Sequence, residues 1–152
     1  MLMRAFMERA KELALQTPEK WAGPVGCLAV DMESGLILAE AANGYDARRG
    51  EFVHAEEKVC AQIREARARG KLSGREKIAF FITEEPCYYR DVPPTKKSCC
   101  QLIIELGGVR AVYIMMASLN PKIRGKTIRA LREAGIKVCI LGVDEDFLAR
   151  RR

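Results

Sequence analysis

Histidine is almost missing from this chain of 152 residues, because His54 is the only one. A structural zinc site usually closes with four protein ligands, and here no second imidazole is available for it. The chain also lacks an apolar run close to the roughly 18 residues that a membrane span needs, and its charged N-terminus differs from a signal peptide. We therefore expect a cytoplasmic protein that has no membrane partner.

Repeats, low-complexity stretches and linker-like segments are missing as well. The chain is 49% hydrophobic and 30% charged, which suits one packed core and leaves no room for a second catalytic domain. We expect a single domain over residues 1–152. The net charge of +6 suits an anionic partner, either a phosphorylated metabolite or a nucleic acid. Part of that charge lies in the arginines at 150–152, for which we predict a solvated tail, so RNA binding is not favoured.

Hydrophobic periodicity predicts alternating helices and strands. The predicted helices cover residues 2–15, 54–69, 99–106 and 122–134, and the predicted strands cover 25–30, 36–39, 77–83, 111–116 and 136–141. Helices alternating with strands indicate an α/β protein in which helices cover a mixed sheet. Cys27, Cys60 and Cys139 fall inside apolar runs, so we expect them to be small buried hydrophobic residues.

Four chemically specialised residues stand at the ends of these elements. His54 and Glu56 open one predicted helix, Cys87 follows Pro86 after a buried strand, and Cys99 opens another helix. Zinc deaminases carry H-x-E, then P-C and a second cysteine, with the glutamate as general acid and base. A thiolate at a helix N-terminus is also stabilised by the helix dipole. We predict His54, Cys87 and Cys99 as zinc ligands and Glu56 as the catalytic residue.

This prediction depends on finding all four residues together in one order along the chain. His-x-Glu or Pro-Cys alone is common, and eleven residues separate Cys87 from Cys99 where the compact signature has two. A protein of another class, a non-catalytic zinc-containing module that binds RNA, is the alternative. Glu56 argues against it, since a structural site has no use for this carboxylate.

Several longer segments have a recognisable order. Residues 83–87 read Thr-Glu-Glu-Pro-Cys, residues 99–107 read Cys-Cys-Gln-Leu-Ile-Ile-Glu-Leu-Gly, and residues 119–126 read Leu-Asn-Pro-Lys-Ile-Arg-Gly-Lys. They resemble T-x-E-P-C, C-x-x-x-I-I-x-x-G and D-P-N-P-x-V-x-G-K-G of the deaminase domain in bifunctional riboflavin-biosynthesis enzymes. Over most of its length the chain resembles the cytidine deaminase-like superfamily.

This resemblance implies a three-layer α-β-α fold with a mixed five-stranded sheet. It implies zinc-dependent hydrolytic deamination of a pyrimidine-like nucleobase or nucleotide, with the diaminohydroxyphosphoribosylaminopyrimidine of riboflavin synthesis as the first substrate to test. Cytidine, deoxycytidylate and tRNA adenosine are the alternatives. We also expect a homodimer or a higher homo-oligomer.

The resemblance suggests two asparagines as substrate-binding residues. Asn43 stands eleven positions ahead of His54, as a base-contacting asparagine does in tRNA adenosine deaminases. Asn-Gly is also a favoured turn pair, so a purely structural Asn43 is equally consistent with the sequence. Asn120 has the place of a substrate contact in the riboflavin family, although Asn-Pro is also a helix-entry signal.

Two further substrate-binding candidates, Tyr88 and Arg90, follow Cys87 directly. The riboflavin family has a Ser-His pair at this point, so substrate contacts here are specific to this chain. A tyrosine ring can stack on a base, and a guanidinium can bind a phosphate. The alternative is that this segment only covers the edge of the sheet.

The Arg90→Ala variant tests the phosphate hypothesis. It should lower kcat/KM for a nucleotide far more than for the matching nucleoside, because only the nucleotide loses a charge-assisted contact. Steady-state kinetics on both compounds measure the difference. An equal loss on both would remove Arg90 from the site and leave Lys96, Lys97 or Lys126 as the next phosphate ligands to test.

Overall fold

The computed structural model describes residues 2–17, 23–88 and 96–151. The helices in these ranges are α1 (Leu2–Gln16), α2 (Ala55–Ala68), α3 (Cys99–Leu106), α4 (Lys126–Glu133) and α5 (Glu145–Arg150). The strands are β1 (Gly26–Asp31), β2 (Ile37–Ala42), β3 (Gly44–Asp46), β4 (Glu51–Val53), β5 (Ile78–Ile82), β6 (Val109–Ile114) and β7 (Lys137–Ile140). None of the helices in the described ranges has both the length and the apolar composition of a membrane span.

Five strands form one mixed sheet in the order β2-β1-β5-β6-β7. Strand β1 is antiparallel to β2 and to β5, whereas β5, β6 and β7 run parallel to one another. The short strands β3 and β4 pair only with each other, as an antiparallel hairpin. Since β5 to β7 are parallel, the loops that leave their carboxyl ends all emerge at one edge of the sheet.

Helices cover both faces of this sheet. Alternate residues of β5 point to opposite faces: Ile78, Phe80 and Ile82 pack in the core beneath α2, α3 and α4, while Ala79 and Phe81 pack beneath α1 and α5. Both faces of the central strand are therefore buried, as expected for a sheet between two helical layers. The predicted three-layer α-β-α architecture with a mixed five-stranded sheet is confirmed.

The predicted helix over 122–134 begins too early. Residues 121–125 form turns, and α4 begins at Lys126 after Gly125, whose φ of 79° lies in the left-handed region. A residue with that backbone conformation cannot continue a right-handed helix, so Gly125 delays the start by about one turn. Strand β2 is longer than predicted and continues to Ala42, because the chain keeps pairing with β1 as far as Gly26.

The sequence interpretation missed the β3–β4 hairpin and α5. Helix α5 has only six residues, and Asp144 caps it by accepting a hydrogen bond from the backbone N–H of Phe147 at 3.0 Å. Phe147 is buried in the core on the α1 face. The solvated tail predicted for 150–152 is wrong for Arg151, whose side chain is only 10% exposed.

The buried-cysteine prediction is confirmed for two of three residues. Cys27 and Cys60 are completely buried, whereas Cys139 is only partly buried. All six cysteines are free thiols in the structure.

Helix α1 lies unusually close to β1 at Gly26. A Cβ atom on Gly26 would lie 1.8 Å from the backbone carbonyl oxygen of Ala10. Because the obstructing atom belongs to the backbone of a helix, no side-chain rotation can relieve the clash. Glycine at position 26 therefore lets α1 cover the strand that leads to the candidate site.

We expect Gly26→Ala to lower the free energy of unfolding by about 3 kcal/mol or more, since α1 must move away from the sheet. Gly35→Ala is the control. Gly35 has a φ of 73° and no atom within 4 Å of an added Cβ, so its loss should be about 1–2 kcal/mol from backbone strain alone. Urea unfolding of both variants measures the difference, and equal losses would contradict the close packing.

Candidate active site

Two helix starts and one strand end converge at the edge of the sheet. His54 is the N-cap of α2, Cys99 is the first residue of α3, and Cys87 lies five residues beyond the end of β5. Ser98 fixes the start of α3 through a capping box: its hydroxyl accepts from the backbone N–H of Gln101, and the Gln101 side chain accepts from that of Ser98. The predicted helix start at Cys99 is confirmed.

The ligand atoms of His54, Cys87 and Cys99 lie within 4.8 Å of one another. His54 Nδ1 is 3.3 Å from Cys99 Sγ, and the backbone N–H of Cys99 donates to Cys87 Sγ at 3.1 Å. Across residues 2–17, 23–88 and 96–151, this is the only cluster of three or more His, Cys, Asp or Glu side chains with such a geometry. The structure therefore brings together the three ligands that the sequence predicted.

These three side chains fit a zinc ion. Zn–S bonds of about 2.3 Å and Zn–N bonds of about 2.0 Å place the ligands of one ion roughly 3.5–4 Å apart, close to the spacing seen here. Hydrogen bonds from Cys99 and from His54 outweigh burial and lower the pKa of Cys87 to about 4. Cys87 is thus a thiolate at neutral pH, which is the form that binds metals.

Glu56, the second residue of α2, faces the same cluster without belonging to it. Its side chain is buried, and Oε2 accepts from the Cys99 thiol over 3.7 Å. Burial raises the pKa of Glu56 to about 7, against the opposing effect of His54. A carboxyl group with a pKa near neutrality can both accept and release a proton, as general acid–base catalysis requires.

A cavity of about 140 Å³ opens in front of Glu56. His54, Glu56 and Cys87 line one end, and Asn43, Phe52 and Glu84 line other parts of the wall. Phe52 is the one phenylalanine, tyrosine or tryptophan among the described lining residues, and its ring meets that of His54 edge-on, with centroids 6.2 Å apart. The size suits a ring the size of a nucleobase, and Phe52 offers a flat apolar surface to it.

Asn43 lies in the cavity wall and is 5% exposed. Its Oδ1 accepts from the backbone N–H of Val25 at 2.9 Å, and its Nδ2 donates to the carbonyl of Gly23 at 3.0 Å. The amide thus holds the segment that leads into β1. An amide has two N–H groups and two lone pairs, so one donor and one acceptor site remain for a ligand.

Two other substrate candidates, Asn120 and Tyr88, are not among the described residues that line the cavity. Asn120 is exposed, and its Oδ1 accepts from the backbone N–H of Lys122 at 3.0 Å, within the turns that precede α4. Tyr88 is 41% exposed and is not among the described lining residues. Arg90 lies outside the described residues, so its role stays a prediction from sequence.

Sequence reasoning missed Phe52, Glu84 and Glu85 as parts of the site. Glu85 accepts hydrogen bonds from the backbone N–H groups of Ser118 and Gly125, both at 3.0 Å, and from that of Ile128 at 3.4 Å. It thereby ties the chain before Cys87 to the loop that follows β6. Its fixed place in T-x-E-P-C was a usable signal, whereas Phe52 lies in a strand too short for any periodic pattern.

Glu57 follows Glu56 in α2 but has different surroundings. It is 8% exposed and pairs with Arg49 over 3.3 Å, and it is not among the residues that line the cavity in the described structure. Glu56 therefore lines the cavity, whereas its neighbour Glu57 forms a salt bridge with Arg49.

Fold, ligand cluster and buried glutamate define a class of protein. The sequence model of the cytidine and deoxycytidylate deaminase zinc-binding region matches residues 2–116. The chain belongs to this family, and its zinc-binding character agrees with the His54, Cys87 and Cys99 cluster.

Several relatives to which this chain is similar are named for riboflavin biosynthesis. The riboflavin biosynthesis protein RibD of Actinobacillus pleuropneumoniae is 34% identical over 136 residues, which cover 88% of this chain and 31% of that protein. The diaminohydroxyphosphoribosylamino-pyrimidine deaminase of Buchnera aphidicola subsp. Schizaphis graminum is 33% identical over 141 residues, which cover 90% of this chain and 82% of that protein. The chain thus spans about a third of the RibD protein and most of the deaminase.

A solved structure from Thermotoga maritima agrees with these relatives. It is a diaminohydroxyphosphoribosylaminopyrimidine deaminase/5-amino-6-(5-phosphoribosylamino)uracil reductase, superposed with a TM-score of 0.72 at 29% identity. The superposition covers 98% of this chain and 39% of that one.

The adjacent cysteines at the start of α3 should respond differently to mutation. Cys99→Ser should lose most bound zinc, whereas Cys100→Ser should keep it, because Cys100 packs in the core beneath α3. Burial also raises the pKa of Cys100 to about 11, which keeps it a thiol. Metal analysis of purified protein, with about one zinc per chain in the wild type, checks both. The reverse result would move the ligand by one residue.

Proposed function

We propose that this protein is a zinc-dependent hydrolytic deaminase of a phosphorylated pyrimidine that carries more than one amine. One observation carries the proposal: Glu56 is buried 3.7 Å from Cys99 Sγ, at the cavity, and is not a member of the three-residue ligand cluster. A purely structural metal site does not need a free carboxyl group beside it. His54, Cys87 and Cys99 are the proposed zinc ligands.

The chemistry divides between the metal and Glu56. A zinc ion held by His54, Cys87 and Cys99 would bind a water molecule and lower its pKa towards neutrality. Ionised Glu56 accepts one proton from the attacking water and releases it to a ring nitrogen of the base, while the water oxygen bonds to the ring carbon that bears the amine. Glu56 then carries the proton of the new hydroxyl group to the amine, whose bond to that carbon breaks, so that the amine leaves as ammonia. The near-neutral pKa of Glu56 suits both directions of transfer.

Named relatives support the substrate class. Relatives named for riboflavin biosynthesis and for the deamination of diaminohydroxyphosphoribosylaminopyrimidine match nearly the whole chain. Cytidine, deoxycytidylate and tRNA adenosine remain the alternative substrates. Asn43, through its remaining hydrogen-bonding capacity, and Phe52, through its ring face, are the proposed base contacts.

Nucleic acid is a less favoured partner. Lys96 and Lys97, which were alternative phosphate ligands, pair with Glu51 and Glu105. Salt bridges of this kind reduce the positive charge available to a polyanion. We propose a small-molecule substrate, a single deaminase domain and a homo-oligomeric assembly in the cytoplasm.

Glu56→Gln should keep zinc and lose turnover by a factor of about 100 to 10,000, the usual contribution of general acid–base catalysis. Ammonia release across nucleobases, nucleosides and nucleotides, beginning with the phosphoribosylated diaminopyrimidine, measures turnover, and metal analysis measures zinc.

Glu57→Gln provides the matched control, because it removes the same charge one residue along α2. Glu57 faces Arg49, so this variant should retain near-normal turnover. Full activity of Glu56→Gln, or wild-type protein that folds without zinc, would contradict the proposed function.

A further inference from the structure

Three carboxylates line the cavity, and two of them already have a role. Glu56 is the proposed proton carrier, and Glu85 accepts three backbone hydrogen bonds. Glu84 is different: it makes no hydrogen bond to any described residue, although its side chain is only 22% exposed. A partly buried carboxylate in a cavity wall that has no protein donor can accept hydrogen bonds from a ligand.

A buried guanidinium stands directly behind Glu84. Arg151 Nη1 lies 3.9 Å from Glu84 Oε1, and within the described part of the chain this nitrogen is buried with no hydrogen-bond partner. The Arg151 side chain is fixed over the ring of Phe147, 6.0 Å from its centroid. Its other terminal nitrogen would be 2.8 Å from a Cβ atom on Gly23, so it fills the space beside this glycine.

Arg151 places a positive charge beside the carboxylate of Glu84. Burial raises the pKa of Glu84, and Arg151 opposes that effect. The arginine therefore favours the ionised form of this carboxylate in the cavity wall, with Oε1 on the Arg151 side. Glu84 also occupies the variable position of T-x-E-P-C, so this contact is a property of this chain.

We propose that Glu84 is a specificity-determining residue that accepts hydrogen bonds from N–H donors of the base, and that Arg151 is its positioning residue. This inference rests on the proposed function. An ionised carboxylate accepts hydrogen bonds and donates none, so the base edge that faces Glu84 must carry N–H groups. A diaminopyrimidine still has a second amine when the first is directed at the metal.

Cytosine does not meet this requirement. Its single exocyclic amine is the reacting group, and the rest of its pairing edge presents acceptors, which a carboxylate repels. Glu84 therefore selects for pyrimidines with more than one amine and against cytidine nucleotides. A site built to pair a donor rejects an analogue that lacks it more strongly than an apolar pocket does.

The test compares two substrates in four variants. The phosphoribosylated diaminopyrimidine and cytidine monophosphate are assayed with wild type, Glu84→Gln, Arg151→Met and Arg151→Lys. Glu84→Gln should raise KM for the diaminopyrimidine by about 10- to 100-fold with little change in kcat, as expected for the loss of hydrogen bonds to a charged acceptor. The same variant should leave kcat/KM for cytidine monophosphate unchanged or raise it, so the preference for the diaminopyrimidine over cytidine monophosphate becomes smaller.

Arg151→Met should also raise KM for the diaminopyrimidine. Arg151→Lys should partly restore the wild-type KM, because lysine keeps the charge without the planar fork of the guanidinium. Arg150→Met is the matched control, since it removes the same charge from the exposed neighbour. Thermal melting of Arg151→Met separates a loss of folding from a change in substrate preference. A similar KM for Arg151→Met and Arg150→Met, at equal stability, would overturn the positioning role.

Two outcomes separate this inference from the proposed function. Normal turnover of the diaminopyrimidine with an unchanged preference in Glu84→Gln would overturn the inference and leave the deaminase intact. If the wild type releases ammonia from none of the compounds, the proposed function fails. Calorimetric measurement of the binding of the same two nucleotides to zinc-loaded protein then tests the role of Glu84. Tighter binding of the diaminopyrimidine that Glu84→Gln abolishes would support the inference; equal or unmeasurably weak binding of both nucleotides would overturn it.

Discussion

The backbone N–H of Cys99 donates to the sulfur of Cys87, and this short contact sets the geometry of the whole site. It joins the first residue of α3 to the segment that leaves β5, two parts of the chain that are twelve residues apart. The free N–H groups at a helix start stabilise a thiolate, so the same contact that fixes the distance also fixes the charge. His54 then completes the cluster from the start of α2. The sheet and its helices hold these three side chains close enough together to bind one metal ion.

Burial of a charged group costs free energy, and the surroundings of each carboxylate in the cavity offset this cost in a different way. Glu85 is satisfied entirely by backbone donors, whereas Glu56 responds by titrating near neutrality. Glu84 has a buried cation at its back. Three chemically identical side chains thus become a fixed anchor, a proton carrier and a ligand-facing acceptor, because their surroundings differ.

Local signals made the essential part of the site predictable from sequence. The helix start at Cys99 depends on its neighbour Ser98, and local capping of this kind is readable in a single chain. The unusual eleven-residue gap between Cys87 and Cys99 did not obscure the ligand set. A metal constrains the distance between sulfur atoms in space, and the number of residues between them matters little.

The missed features depend on contacts between distant segments. Phe52 sits in a three-residue strand that no periodicity can indicate. Asn43 was predicted, but its hydrogen bonds to the backbone at Gly23 and Val25 were not. Arg151 resembles the exposed Arg150 in sequence, and its contacts with Glu84 and Phe147 show why it is buried. The late start of α4 follows from one left-handed glycine whose conformation is set by the loop around it.

The carboxylate of Glu85 accepts hydrogen bonds only from backbone N–H groups among the described residues, and this has a consequence for how such a site can diverge. Ser118, Gly125 and Ile128 contribute to the anchor only through atoms that every residue except proline possesses. Side chains of the loop between β6 and α4 that the anchor does not need, such as that of Ile123 in the cavity wall, can therefore change while the loop stays attached to the metal-binding segment. Position 125 is the exception, because its left-handed backbone favours glycine. Attachment depends on backbone atoms and the shape of the cavity wall on side chains, so evolution can alter the wall while the ligand geometry stays constant.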